Sequence, residues 1–96
     1  MKTSIQQLPD KVVVKVEGDL DTPSCDQFKA DLEPLMAQKG IKIELDMSGV
    51  SYISSRGLRV LLTLAQSQPE GSVKAFGITP AVQEVFELTG FDQILL

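Results

Sequence analysis

The sequence predicts a single α/β domain over residues 1–96, built on a mixed, mostly parallel sheet of about four to five strands with an N-terminal hairpin and three main helices. Three observations lead there. Short β-branched runs alternate with stretches of helical period from residue 12 onward, a pattern that calls for parallel strands joined by crossovers. Two helical stretches open on Thr-Pro, at Thr22-Pro23 and Thr79-Pro80, which pairs a capping side chain with a residue that has no N–H to leave unsatisfied. A hydrophobic content of 43% over 96 residues, with only 5% aromatics, suffices for one core made mainly of Val, Ile and Leu.

The elements follow in order. Thr3 to Leu8 is a weak strand, and Pro9-Asp10 turns it back onto the β-branched run Val12 to Val16, giving the hairpin. Thr22 is expected to cap a helix whose first residue is Pro23, with Cys25, Phe28, Leu32, Leu35 and Met36 on its core stripe. Gly40 ends it, and Pro34, which removes a backbone bond and crowds the preceding turn, predicts a kink. Ile41, Ile43 and Leu45 alternate with Lys42, Glu44 and Asp46, a strand with a dry and a wet face. A turn at Ser48-Gly49 leads through Val50 to Ile53 into a second helix, Ser55 to Gln68. Its main stripe is expected at Leu58, Leu61, Leu62 and Ala65, flanked by Val60 and Leu64, making it the most buried helix. After Pro69 and Gly71, Val73 to Phe76 forms a short strand, and a third helix runs from Thr79-Pro80 to Thr89-Gly90 with Val82, Val85 and Phe86 inward. Phe91, Ile94 and Leu95 suggest a terminal strand or apolar tail.

Composition excludes several classes of function. A net charge of −4 with scattered basic residues argues against nucleic-acid binding, which needs clustered Lys and Arg. No apolar run reaches the roughly 18–20 residues of a membrane span, and the opening MKTSIQQLPDK lacks the apolar middle of a signal peptide; no membrane insertion and a cytoplasmic location are expected. Cys25 is the only cysteine and there is no His, so neither an intrachain disulfide, a zinc cluster from this chain alone nor the usual general base is available. No cofactor, no metal and no catalytic residue are expected, and the chain reads as a binding module.

Sites in parallel sheets gather beyond the carboxyl ends of strands. Here the loops are Gly18 to Thr22, Ser48 to Gly57 and Gly77 to Pro80. Ser54 and Ser55 stand at a helix start, where they can cap the helix or, because free N–H groups and the helix dipole favour anions there, carry a phosphate. Gly57 in the first turn costs about 1 kcal/mol relative to Ala, which calls either for close packing or for clearance of a partner. Asp19 and Asp21 read as loop-solvating or capping carboxylates, or as an acid/base or cation-binding pair. Cys25 reads as core or as a first-turn thiolate. Arg56 and Arg59 belong either to a solvated face or to a partner or phosphate contact.

The segment Asp46-Met47-Ser48-Gly49-Val50-Ser51-Tyr52-Ile53-Ser54-Ser55-Arg56-Gly57-Leu58-Arg59-Val60-Leu61-Leu62 resembles the signature of the STAS domain family, in its anti-sigma-factor antagonist branch. Gly18-Asp19-Leu20-Asp21, Thr79-Pro80-Ala81-Val82, Phe86 and Gly90-Phe91 extend the resemblance along nearly the whole chain. The resemblance implies a partner-switching regulator that binds an anti-sigma factor with serine kinase activity when unphosphorylated, is released on phosphorylation, and is restored by a metal-dependent serine phosphatase. It places the phosphoacceptor on Ser55, with Ser54 as a rival hydroxyl where the family often has Asp. It puts Asp21 on the adjoining loop, and Asp19, Asp21, Thr22, Ser54, Ser55, Arg56, Gly57 and Arg59 at the partner surface. Arg56 stands where small residues are common in the family, next to the charge a phosphate would bring. The alternative role is a STAS adaptor that works without phosphorylation, on a membrane transporter's ATPase or holding a small ligand.

Overall fold

The computed structural model describes residues 2–90, so the expected apolar tail at Phe91, Ile94 and Leu95 lies outside the described residues. Strands β1 (Lys2–Gln7), β2 (Val12–Glu17), β3 (Ile43–Gly49) and β4 (Val73–Phe76) alternate after the hairpin with helices α1 (Cys25–Ala37), α2 (Ser55–Gln66) and α3 (Pro80–Thr89). They form one sheet in the order β1-β2-β3-β4. β1 is antiparallel to β2, with Ile5 opposite Val14, whereas β2, β3 and β4 run parallel, as their helical crossovers require.

Alternation along the strands determines where the core lies. Val12, Val14 and Val16 of β2, Ile43, Leu45 and Met47 of β3, and Val73 and Ala75 of β4 are buried in register, while the residues between them are half-buried or exposed. The helices cover that buried face: Phe28, Leu32 and Leu35 from α1, Leu58, Val60, Leu61 and Leu64 from α2, and Val82 and Phe86 from α3 complete one cluster. Each such large apolar side chain contributes about 1.5–3 kcal/mol when fully buried.

Several local expectations change. β3 begins at Ile43, after the half-buried Ile41, and runs through Ser48 and Gly49, where a turn is expected. α1 begins at Cys25 after a single 3-10 turn over Thr22–Ser24, and Asp21 rather than Thr22 caps that turn. The Asp21 carboxylate accepts the Ser24 N–H at 3.0 Å, and a charged acceptor at the positive end of a turn is preferred over a neutral hydroxyl. In α2 the buried stripe is Gly57, Leu58, Val60, Leu61 and Leu64, whereas Leu62 and Ala65 are only half-buried. The buried stripe thus includes Val60 and Leu64, expected only as flanking residues, in place of Leu62 and Ala65. α2 also ends at Gln66 instead of Gln68, with Ser67 as C-cap. α1 continues through Pro34, whose exposed position leaves the carbonyl it cannot serve facing water.

Gln68 is buried and fully engaged. Its Nε2 donates to the Leu35 carbonyl at 3.1 Å and to the Gln38 carbonyl, while its Oε1 accepts the Ile41 N–H at 3.1 Å. One amide thus satisfies the end of α1 and the approach to β3, a junction where unpaired backbone groups would be costly.

Candidate functional site

The carboxyl ends of β2, β3 and β4 open into loops that interlock. Gly18 N–H donates to the Gly49 carbonyl at 2.9 Å, Leu20 N–H to Tyr52 at 2.9 Å, and Ser54 N–H back to Leu20 at 2.8 Å. Leu20 and Ile53 form an isolated parallel bridge, so the first two loops continue the sheet for another step. The third loop is tied on by Thr79, whose hydroxyl donates to the Val50 carbonyl at 2.9 Å. Backbone bonding on this scale gives a preformed rim rather than an adaptable loop cluster.

A register shift in β3 prepares the rim. Lys15 faces Asp46 but Glu17 faces Gly49, leaving an extra residue on β3. Asp46 stabilises the bulge by accepting the Ser48 hydroxyl at 2.7 Å and the Ser48 N–H at 3.1 Å. These two bonds, with the nearby Lys15 charge, hold the Asp46 carboxyl below the usual carboxylate range. At Gly49 a Cβ would stand 3.2 Å from both the Glu17 Cα and the Val16 carbonyl oxygen, so the close approach of β2 requires glycine.

The two adjacent serines part company at the start of α2. Ser54 is the N-cap: it is 6% exposed, its Oγ accepts the Gly57 N–H at 3.2 Å, and Cys25 Sγ lies 3.6 Å away. Ser55 is the first helical residue and is exposed, and its hydroxyl makes no hydrogen bond among the described residues. Ser54 also takes the Leu58 N–H on its carbonyl at 3.0 Å, while the N–H groups of Ser55 and Arg56 find no acceptor among the described residues. The rim therefore presents a free hydroxyl beside open donors at the positive end of a helix.

Gly57 is buried, and a Cβ there would stand 3.0 Å from Ile53 Cγ1 and 3.1 Å from Leu20 Cβ. Of the two explanations for this glycine, close packing is the one the geometry supplies. Cys25 is 1% exposed and its Sγ donates to the Asp21 carbonyl at 3.1 Å, so it packs in the core beneath the rim.

Asp19 is exposed and accepts the Ser51 hydroxyl at 2.8 Å, a second tie between the first two loops. The Ser24 hydroxyl and N–H hold the Asp21 carboxyl below its ordinary value. Thr22 is exposed beside it. Arg56 turns toward α1 and pairs with Asp26 at 2.7 Å, and Arg59 is exposed one turn further along. Tyr52 is absent from the residues that sequence reasoning selects, yet it is 53% exposed on the same rim. An aromatic held out in water at a loop of polar residues is the available signal, since aromatics are enriched at interface centres.

Comparison with known proteins places this geometry. The family model described as Mlab, STAS domain matches residues 3–96. An anti-sigma-B factor antagonist of Listeria monocytogenes is 30% identical over 88 residues, covering 90% of this chain and 77% of that protein. Among solved structures, an anti-sigma factor antagonist from Mycobacterium paratuberculosis superposes with a TM-score of 0.82 at 23% identity, covering 98% of this chain and 81% of that one. SpoIIAA in its unphosphorylated form gives a TM-score of 0.72 at 18% identity, over 99% of this chain and 86% of that chain. Bacillus SpoIIAA in its phosphorylated form gives 0.68 at 16% identity, over 99% and 89%. These structures share the fold.

Proposed function

Since the chain belongs to the STAS domain family, we propose that it is an anti-sigma-factor antagonist whose rim binds an anti-sigma factor with serine kinase activity and lets go when Ser55 is phosphorylated. The observation that carries this reading is the division of labour between the serines. Ser54 is buried and committed to capping, whereas Ser55 stands free on a rim built from three strand ends. Relatives named as anti-sigma factor antagonists support the class of partner. A metal-dependent serine phosphatase reverses the modification.

The chemistry is a charge switch. Transfer of the γ-phosphoryl group from ATP to the Ser55 oxygen adds about −1.5 to −2 charge at the start of α2, where open N–H groups and the helix dipole tolerate it. The domain keeps its fold. The cost falls on the interface, where a surface matched to a neutral hydroxyl has to bury a new charge, and every 1.4 kcal/mol of that cost is a tenfold loss of affinity. The chain itself performs no catalysis in this scheme; its work is presentation of the hydroxyl.

The test is phosphorylation by the host's anti-sigma-factor kinase with ATP, read by intact mass and peptide mapping, together with kinase binding by variants. One phosphoryl group on Ser55, retained binding by Ser55→Ala and lost binding by Ser55→Asp are expected. Equal binding by the two variants, or a phosphate on Ser54 alone, overturns the proposal. Association with a transporter ATPase and with no kinase supports the adaptor role instead.

A further inference from the structure

Beside Ser55 the surfaces of α1 and α2 leave a shallow groove of about 250 Å³, whose charged lining is Asp26 and Lys29 from α1 with Arg56 and Arg59 from α2. Its floor is formed by Val60 and the buried Cys25. The chain carries nine Lys and Arg against thirteen Asp and Glu, so three of its nine cations meet in one groove of an acidic protein. Asp26 is the only carboxylate in the lining, and it is spent on Arg56 at 2.7 Å. Lys29 and Arg59 have no ion-pair partner among the described residues. Like charges held in one groove repel, and an anion entering it relieves that repulsion.

The groove is continuous with the rim. Ser55 and Arg59 are four residues apart on α2 and therefore share a helix face, while Arg56 and Arg59, three apart, line the α1 side together. A protein seated over Ser55 meets Arg59 one turn further along the same face, at the edge of the groove. We infer that the α1–α2 groove docks an acidic segment of the same anti-sigma-factor kinase, so that Lys29 and Arg59 steer and hold the partner while Ser55 reports its phosphorylation state. This inference rests on the reading of the rim as the kinase-binding surface. Charge complementarity selects the occupant: a segment rich in Asp and Glu neutralises the two free cations, and its apolar side chains have Val60 to rest on. Asp26 then works against binding, because it competes for Arg56 and repels the incoming carboxylates.

The experiment is binding of the anti-sigma-factor kinase to the full chain by surface plasmon resonance across a salt series from about 0.05 to about 0.5 M, over which screening shortens severalfold. Lys29→Glu/Arg59→Glu is expected to weaken binding at least tenfold at low salt, chiefly through slower association, with the difference from wild type shrinking as salt rises. Asp26→Asn is expected to strengthen binding about threefold. Lys39→Glu/Lys42→Glu makes the same change in net charge at exposed positions between α1 and β3, at the end of the sheet opposite the rim, and is expected to bind as wild type does. Melting curves confirm that each variant folds. If Ser55→Ala and Ser55→Asp differ while the groove reversal binds normally, or the control pair weakens binding as much, the groove inference fails and the switch stands. If the Ser55 variants bind equally, the underlying reading fails and takes the groove with it. A reversal that alters only self-association of the chain assigns the groove to a second copy and overturns the inference.

Discussion

Gly57→Ala sets two physical effects against each other with opposite signs. At an unconstrained helical position Ala is favoured over Gly by about 1 kcal/mol. At this position the new Cβ would stand 3.0 Å from Ile53 Cγ1, 3.1 Å from Leu20 Cβ and 3.2 Å from the Leu20 carbonyl oxygen. Carbon contacts are comfortable at about 3.5–4.0 Å, so the first turn of α2 has to retreat by several tenths of an ångström. Leu20 has little freedom to yield, because its carbonyl accepts the Ser54 N–H at 2.8 Å and its N–H is held by Tyr52 at 2.9 Å. Overpacking of this kind costs about 1–3 kcal/mol. Subtracting the helical gain from the middle of that range leaves a net destabilisation of about 1 kcal/mol. In a domain of this size that lowers Tm by about 4–8 °C. Thermal and urea unfolding followed by circular dichroism measure it directly. A Gly57→Ala protein that melts above wild type, as helix propensity alone demands, refutes the close-packing account.

Other substitutions test separate parts of the structure. Gln68→Ala removes three hydrogen bonds at the α1–β3 junction and is expected to cost about 2 kcal/mol, read as a lower urea midpoint with an unchanged slope; a loss under about 0.5 kcal/mol argues that water replaces the amide without penalty. Asp21 and Asp46 both have lowered folded pKa values, so their contribution to stability is complete above the unfolded carboxylate value of about 4 and is lost as pH falls through the lowered folded values. The stability gap between wild type and Asp46→Asn should therefore narrow below about pH 4, and carbon-detected NMR titration should give midpoints under the ordinary value for both carboxyls; midpoints at or above it contradict the bonding to Ser24 and Ser48. Tyr52→Ala should weaken kinase binding at least tenfold while shifting stability by less than about 0.5 kcal/mol, and unchanged affinity removes Tyr52 from the interface.

Most of the architecture was legible because it depends on local period and punctuation. The alternation through Ile43 and Leu45 marks β3 whatever its neighbours do, although the strand starts after Ile41 and runs on to Gly49, and Thr79-Pro80 starts α3 at its proper residue. The start of α1 was less legible, since Asp21, Thr22 and Ser24 are all competent caps and the choice depends on which oxygen reaches which N–H. The buried face of α2 was not legible either. Val60, Leu61, Leu62, Leu64 and Ala65 surround a wide arc, and only the packing of the helix in the fold selects Val60, Leu61 and Leu64 over Leu62 and Ala65. Gln68 carried no sequence signal, because a polar residue after a helix ordinarily faces water.

The site divides in the same way. The sequence by itself determined the α/β order, the strand-end loops and the pair of hydroxyls at the start of α2, since these follow from residue type and spacing. Only the tertiary structure decided that Ser54 is spent as a buried cap and Ser55 is free, because either hydroxyl can serve as N-cap in the sequence and packing alone says which one is held in extended backbone against the core and which opens the helix. It also joined Lys29 to Arg59, thirty residues away along the chain, by laying α1 against α2 and collecting cations that the sequence leaves scattered.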